Sequence, residues 1–291
     1  MYRVLNYFEY FEPMTVDEAM RLLSKYGAEA KLMAGGVDLV LKMRLRQLMP
    51  KYVISLQKLP GLDYIDGGGR EDLKFGALVT LRSIELSPTI RKDWALLYEA
   101  IHQIASVQVK TMGTVVGNLC VATPASDIAP VLLVLAAKVK ITGVASEKVI
   151  PVEHLFVAVG KTILEPHEII TEILVPRLPA RTGGAFMKLA KTADDIAKVN
   201  VAVTVTVANG RCDEAKIALG SVAPTPIRAI KAEETLMGQK LDEKAIVRAA
   251  EAAAESVKPI TDVRSTATYR KEMVKVLVKD ALEKAVVRAS M

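Results

Sequence analysis

Two glycine-containing stretches carry the residue types from which phosphate-binding loops are built. The first is Met33-Ala34-Gly35-Gly36-Val37-Asp38, preceded by Leu32 in a strand-like run and followed by a helix-forming one. Glycine adopts φ > 0 without a Cβ clash, so backbone N–H groups at such a turn can come close to an anion. The N-terminus of the following helix adds partial positive charge there. The spacing departs from the GxGxxG dinucleotide fingerprint, so a tight turn without a ligand is the competing reading. The second stretch is Thr111-Met112-Gly113-Thr114-Val115-Val116-Gly117-Asn118, continuing to Ala122-Thr123-Pro124-Ala125-Ser126-Asp127. Its hydroxyls and amide suit phosphate or ribityl oxygens, and Asp127 can accept from sugar or polyol hydroxyls. A buried structural loop explains this segment about as well by itself. Together, the two loops favour a nucleotide-type ligand over ordinary turns.

Other reactive side chains organise less. His102, His154 and His167 fall in separate segments with no HxxxH or HExxH spacing, which argues against a metal site. Cys120 and Cys212 form no CxxC pair, so this chain cannot ligate an iron–sulfur cluster through cysteines. Cys120 lies in the second glycine region, where a small buried apolar residue is the expectation and approach to a bound ligand the alternative. Lys42, Arg44, Arg46 and Lys51 form a basic run, read as a solvated face or a seat for an acidic partner.

The elements that must position these loops follow from periodicity. Thr15 and Glu18 have capping-box spacing, and Val16, Ala19, Met20, Leu22, Leu23 and Tyr26 recur at helical intervals up to Gly27, predicting a helix over 15–26. A strand over 31–34, a helix over 38–49 and a strand over 52–56 come next. Residues 62–65 and 73–76 read as a hairpin around Gly67-Gly68-Gly69. Between 81 and 104 helical patterns return, with Ser83, Pro88 and Asp93 as start signals. A helix over 128–137 and strands over 139–144 and 169–175 complete this part. Pro176, Pro179 and Gly183-Gly184 mark a boundary. Beyond it, VNVAVTVTVA over 199–208 alternates as a strand, Asn209-Gly210 is a hairpin turn, and residues 215–222 return. Helices over 242–257 and 268–289 close the chain, giving a C-terminal α+β module.

The 291 residues are 51% apolar and 25% charged, which excludes a disordered chain and is enough for two or three cores. Lys and Arg number 39 against 33 Asp and Glu, a +6 excess too small to imply nucleic-acid binding. No long apolar segment marks the N-terminus from Met1 onward as a signal peptide, and none is long enough to cross a membrane. A cytoplasmic location is therefore the default expectation.

Several of these segments together are similar to one family. Lys31-Leu32-Met33-Ala34-Gly35-Gly36-Val37-Asp38-Leu39 resembles the first flavin motif of the FAD-binding medium subunit of molybdenum hydroxylases. This group includes carbon monoxide dehydrogenase, xanthine dehydrogenase and archaeal aldehyde or glyceraldehyde oxidoreductases. The resemblance continues through Lys74-Phe75-Gly76-Ala77 with Thr80, Thr114 to Asn118, Ala122 to Asp127, Phe186-Met187-Lys188, Asp194 to Asn200, and Asp262-Val263-Arg264-Ser265 with Tyr269-Arg270.

The resemblance implies an α+β chain: a two-subdomain FAD-binding domain of the vanillyl-alcohol-oxidase (PCMH) type, 1–57 and 58–176, then an α+β domain over 177–291 with a small antiparallel sheet. It implies that Leu32, Met33, Ala34, Gly35, Gly36, Val37 and Asp38 surround the pyrophosphate. Thr111, Gly113, Thr114, Gly117 and Asn118 would complete the cradle, with Thr114 as a side-chain donor. Asp127, in a segment with Ala122, Pro124 and Ser126, would bind ribityl or ribose hydroxyls, and Ala77 and Lys188 would lie near the isoalloxazine. Val116, where the family often has a glycine, puts close backbone approach at that point in question. The implied role is an electron-transfer subunit that takes electrons from a [2Fe–2S] small subunit, in a heterotrimer whose large molybdopterin subunit oxidises the substrate, an aldehyde such as glyceraldehyde. The alternatives are a stand-alone flavin oxidoreductase of the same fold and a flavin-free scaffold.

Overall fold

The structure, a computed structural model, describes residues 4–68, 71–144 and 146–290. Gly69 of the expected hairpin turn and the first three residues of the N-terminal reading lie outside them. Among the described residues the elements form three sheets of three to five strands and one small hairpin.

The first sheet is parallel, with Tyr52–Ser55 between Glu9–Phe11 and Ala30–Met33. Helix Val16–Tyr26 buries Ala19, Met20 and Leu23 against it. Its N-cap differs from the expected box by one residue. The Thr15 hydroxyl accepts the Glu18 N–H at 3.1 Å, but the Glu18 carboxylate accepts the N–H of Met14, at 2.9 Å. Helix Val37–Arg44 is shorter than predicted, because Arg46 turns to φ 58 and ends it.

The second sheet is antiparallel in the order Ile65–Asp66, Leu73–Gly76, Ile169–Val175, Lys138–Thr142, Glu147–Pro151. Helices between residues 81 and 134 pack with it. Three of them, Leu81–Leu86, Pro88–Asp93 and Ala95–His102, occupy the region read as helical, but they begin after Thr80, Ser87 and Trp94. The hydroxyls of Thr80 and Ser87 accept N–H groups three residues on, so Ser83 and Asp93 are not the starts, while Pro88 sits in the first turn where its missing N–H costs nothing. The segment 111–127, read as a glycine-rich loop, contains the end of helix Val107–Met112 and a further helix, Val115–Cys120. Helix Ile128–Val134 is buried at every residue and forms the centre of the largest core.

The third sheet joins Thr182–Leu189, Val199–Ala208, Arg211–Gly220 and Ile227–Arg228, all antiparallel. Asn209 at φ 51 and Gly210 at φ 73 form the tight turn that the dipeptide predicted. The alternation in VNVAVTVTVA sorts two interiors rather than an interior and a solvent face. Val199, Val201, Val203 and Val205 face the C-terminal helices Glu243–Glu255 and Ala267–Ala289. Ala202, with Phe186 and Ala218, belongs to the core of the second sheet, and Thr204 is 3% exposed between them. The third sheet is thereby welded onto the rest of the chain. At its far end Arg288 pairs through both guanidinium nitrogens with Glu99 and donates to the Gly184 carbonyl at 2.7 Å.

Candidate functional site

A cavity of about 580 Å³ lies between the two glycine loops, lined by residues 31–39 on one side and by Gly113, Thr114, Gly117, Asn118 and Cys120 on the other. Its walls are two helix entrances. Gly36, at φ 71 in the left-handed region, turns strand Ala30–Met33 into helix Val37–Arg44, and no side chain caps that helix. Its first N–H groups are therefore available at the cavity to an anion. Opposite it, Thr114 caps helix Val115–Cys120 by accepting the Gly117 N–H at 3.0 Å, which leaves the hydroxyl hydrogen free to donate.

The two loops touch through glycine backbones. A β-carbon on Gly35 would sit 1.6 Å from the Met112 carbonyl oxygen, an approach that only glycine permits, while within the second loop one on Gly117 would sit 2.8 Å from the hydroxyl of its own cap, Thr114. Val116 does not obstruct the cradle: it is 7% exposed and faces the core, while its neighbours Gly117 and Asn118 face the cavity. Cys120 is exposed at the cavity wall, contrary to the expectation of burial, because the helix carrying it opens onto that space. Lys31 adds a cation to the wall, and Lys42 does so while paired with Asp38 at 2.7 Å one helical turn away. Of the rest of the basic run, Lys51 is held by Glu29 at 2.5 Å.

The second loop is anchored from behind by a cluster that the sequence reading missed. Glu85, 7% exposed, accepts hydrogen bonds from Lys110 at 2.6 Å, Arg82 at 2.6 Å and His102 at 2.9 Å. Burial by itself would raise its carboxyl, but these three partners outweigh it and hold the group at about 2, against an ordinary 4.5. Lys110 immediately precedes Thr111, so this ion pair fixes the entry to the glycine loop. A carboxylate and a lysine 25 residues apart gave no signal in the sequence.

Eleven of the eighteen expected residues line the cavity: Leu32 through Asp38, Gly113, Thr114, Gly117 and Asn118. The other seven lie elsewhere. Ala77 is buried in the core, its N–H donating to the Thr171 carbonyl at 3.0 Å, and Thr111 is exposed, its hydroxyl donating to the Val107 carbonyl. The Ala122 carbonyl accepts from Gly160 N–H, and Pro124 lines a second cavity. Ser126 donates to the Asn118 side chain at 2.6 Å, so it braces a residue of the cradle.

Asp127 and Lys188 form a buried ion pair at 2.7 Å, and the other Asp127 oxygen accepts from Asn200 at 2.6 Å. Burial pushes the Asp127 carboxyl up, and Lys188 and Asn200 counter it. Lys188 also donates to the Gln103 carbonyl at 2.9 Å. Both groups thus join the third sheet to the second unit next to Ile104, a residue of the cavity wall. Asn200 stood in the motif at 194–200 but carried no role in the sequence reading.

The sequence profile described as "FAD binding domain in molybdopterin dehydrogenase" matches residues 6–178, and that described as "CO dehydrogenase flavoprotein C-terminal domain" matches residues 184–285. The chain belongs to the FAD-binding medium subunits of the molybdenum hydroxylase family. This medium subunit is 32% identical to the carbon monoxide dehydrogenase medium chain of Hydrogenophaga pseudoflava, over 97% of this chain and 98% of that one. It is 28% identical to the glyceraldehyde dehydrogenase medium chain of Sulfolobus acidocaldarius, over 95% and 97%. Among solved structures it superposes on a chain of Hydrogenophaga pseudoflava carbon monoxide dehydrogenase with a TM-score of 0.95 at 34% identity, covering 98% of this chain and 99% of that one.

The residues present fit the cofactor of such a domain. FAD brings two adjacent phosphates, and the medium subunit meets the cavity with an uncapped helix entrance, a free threonine hydrogen and backbone that only glycine allows to approach.

Proposed function

We propose that this flavin subunit holds FAD in the 580 Å³ cavity with the pyrophosphate between Gly35-Gly36 and Thr114, and relays electrons from a [2Fe–2S] small subunit to an external acceptor. When bound, FAD supplies a carrier that accommodates two electrons and exchanges them singly. The chain supplies everything else. The open N–H groups of helix Val37–Arg44 neutralise phosphate charge, and Thr114 orients an oxygen by donation. Lys188, held by Asp127 and the Gln103 carbonyl next to Ile104 of the cavity wall, tunes the reduction potential of the bound flavin through this ion pair. The observation that carries this reading is the uncapped, glycine-entered helix facing a second glycine-lined loop in one cavity.

Substrate oxidation then takes place on a large molybdopterin subunit, within a cytoplasmic heterotrimer. That division agrees with a chain holding two cysteines far apart in sequence, Cys120 exposed and Cys212 buried. We propose an aldehyde such as glyceraldehyde as the substrate of the whole complex, supported by the Sulfolobus relative. The higher identity to the Hydrogenophaga relative supports carbon monoxide as a second reading. Substrate meets another subunit in either case, so no residue of this cavity chooses between them. Purifying the native complex tests both levels. Molybdenum, iron and FAD in one assembly that oxidises glyceraldehyde supports the first reading, and oxidation of carbon monoxide alone replaces it with the second. A lone chain without FAD or metal-containing partners overturns the relay.

A further inference from the structure

The signature near the C-terminus, Asp262 to Ser265 with Arg270, does not line the cofactor cavity, yet its arginine is among the most buried charges in the chain. Arg270 is 3% exposed. One of its guanidinium nitrogens donates to the Lys198 carbonyl at 2.6 Å and the Ser221 carbonyl at 3.0 Å, and the other donates to Asp262 at 2.8 Å. Asp262 is itself fixed by the N–H groups of Arg264 and Ser265, at 2.9 Å and 3.1 Å. The arginine therefore ties three chain segments at one point.

Ser221 carries that point to the cofactor side. It sits at φ 64, in the left-handed region, a strain that its contacts hold in place. Its N–H donates to the Pro124 carbonyl at 2.7 Å, and its hydroxyl donates to the Ala197 carbonyl at 2.9 Å. Pro124, Ala197, Ser221 and Arg270 all line one cavity of about 360 Å³, together with Val159. The cofactor cavity lies on the other side of the same wall: Val121 and Gly160 line it, one a step from Ala122 and the other bonded to it, Gly160 N–H to Ala122 carbonyl at 2.9 Å. Segments 121–124 and 159–160 thus stand between the two spaces, and this wall continues from the second glycine loop, the Val121 N–H donating to the Gly117 carbonyl at 3.1 Å.

We propose that Arg270, acting through Ser221, is a positioning residue that sets this wall of the cofactor cavity against the bound FAD. The inference rests on the FAD reading above. It assigns the C-terminal domain a specific task, which is to fix one wall of the cofactor cavity rather than to hold the cofactor in place. Anchorage stays with Gly35, Gly36 and Thr114.

Two variants test it: Arg270→Lys, which keeps the charge but cannot span two carbonyls and a carboxylate, and Ser221→Gly, which keeps the left-handed backbone and removes only the bond to Ala197. The full chain is examined with and without FAD. Both variants should retain FAD at the wild-type ratio, while amide exchange in 123–125 and 195–198 rises about tenfold and the midpoint potential and visible circular dichroism per bound flavin shift. Faster exchange with an unchanged flavin signature overturns the positioning role and leaves a structural tie. Unchanged exchange in both variants overturns the tie itself. A wild-type chain that binds no FAD defeats the proposed function instead, and is distinguished because the exchange measurement needs no cofactor.

Discussion

Lys188 reaches from strand Thr182–Leu189 to pair with Asp127 at 2.7 Å, both side chains less than a tenth exposed. The pair spans the junction between the C-terminal sheet and the unit that carries the second glycine loop. Removing one member leaves a buried charge without its partner. Lys188→Met should therefore cost about 3–5 kcal/mol. Adding Asp127→Asn to it should recover part of that loss in a double-mutant cycle followed by chemical denaturation. If Lys188→Met, once folded, leaves both FAD content and reduction potential at wild-type values, its proposed influence on the flavin is wrong.

The Gly35 backbone admits no side chain, because the Met112 carbonyl occupies the place of its β-carbon. Gly35→Ala should force the two loops apart and abolish FAD retention while leaving the C-terminal sheet intact. Gly210→Ala is the control. That glycine, at φ 73, has open space around it, so the change costs only local strain of about 1–2 kcal/mol and keeps FAD. Flavin absorbance per protein after gel filtration distinguishes the two.

Thr114→Ala removes both a helix cap and a hydrogen-bond donor. Loss of the cap should cost about 1 kcal/mol in the apo chain. FAD affinity should fall further than stability does, and Thr114→Ser should restore both, which isothermal titration beside thermal melts would reveal.

Acid sensitivity should centre on Glu85. Its carboxyl is depressed from an ordinary 4.5 to about 2, so its contribution is complete above pH 4.5 and is lost as pH falls toward 2. Glu85→Gln should lower stability at neutral pH and flatten that acid limb. Denaturant midpoints collected between pH 6 and pH 2.5 provide the comparison, and an unchanged slope in the variant would show that other carboxylates control it.

FAD should stabilise the chain by mass action, about 2.7 kcal/mol at a hundredfold excess over Kd. A melting temperature insensitive to added FAD contradicts the proposed cavity assignment.

Local sequence chemistry determined the elements and where they turn. Thr15, Asp242 and Thr266 cap helices because their side chains can accept an N–H three residues on, and Asn209-Gly210 turns a hairpin because both residues tolerate positive φ. The glycines of both loops were legible for the same reason, since glycine alone relieves the steric limit. What depends on distant partners was not legible. The alternation in Val199–Ala208 announced a strand, but only the packed structure showed that its polar-looking face is buried as well, with Asn200 at 0% exposure. Asp127 has the chemistry of a hydroxyl acceptor. Tertiary structure spent it on Lys188 and Asn200, some 61 and 73 residues away, because a buried carboxylate requires compensation wherever the fold can bring it. The sequence by itself therefore determined which backbone could approach a phosphate, and the tertiary structure decided which charged side chains are committed to one another.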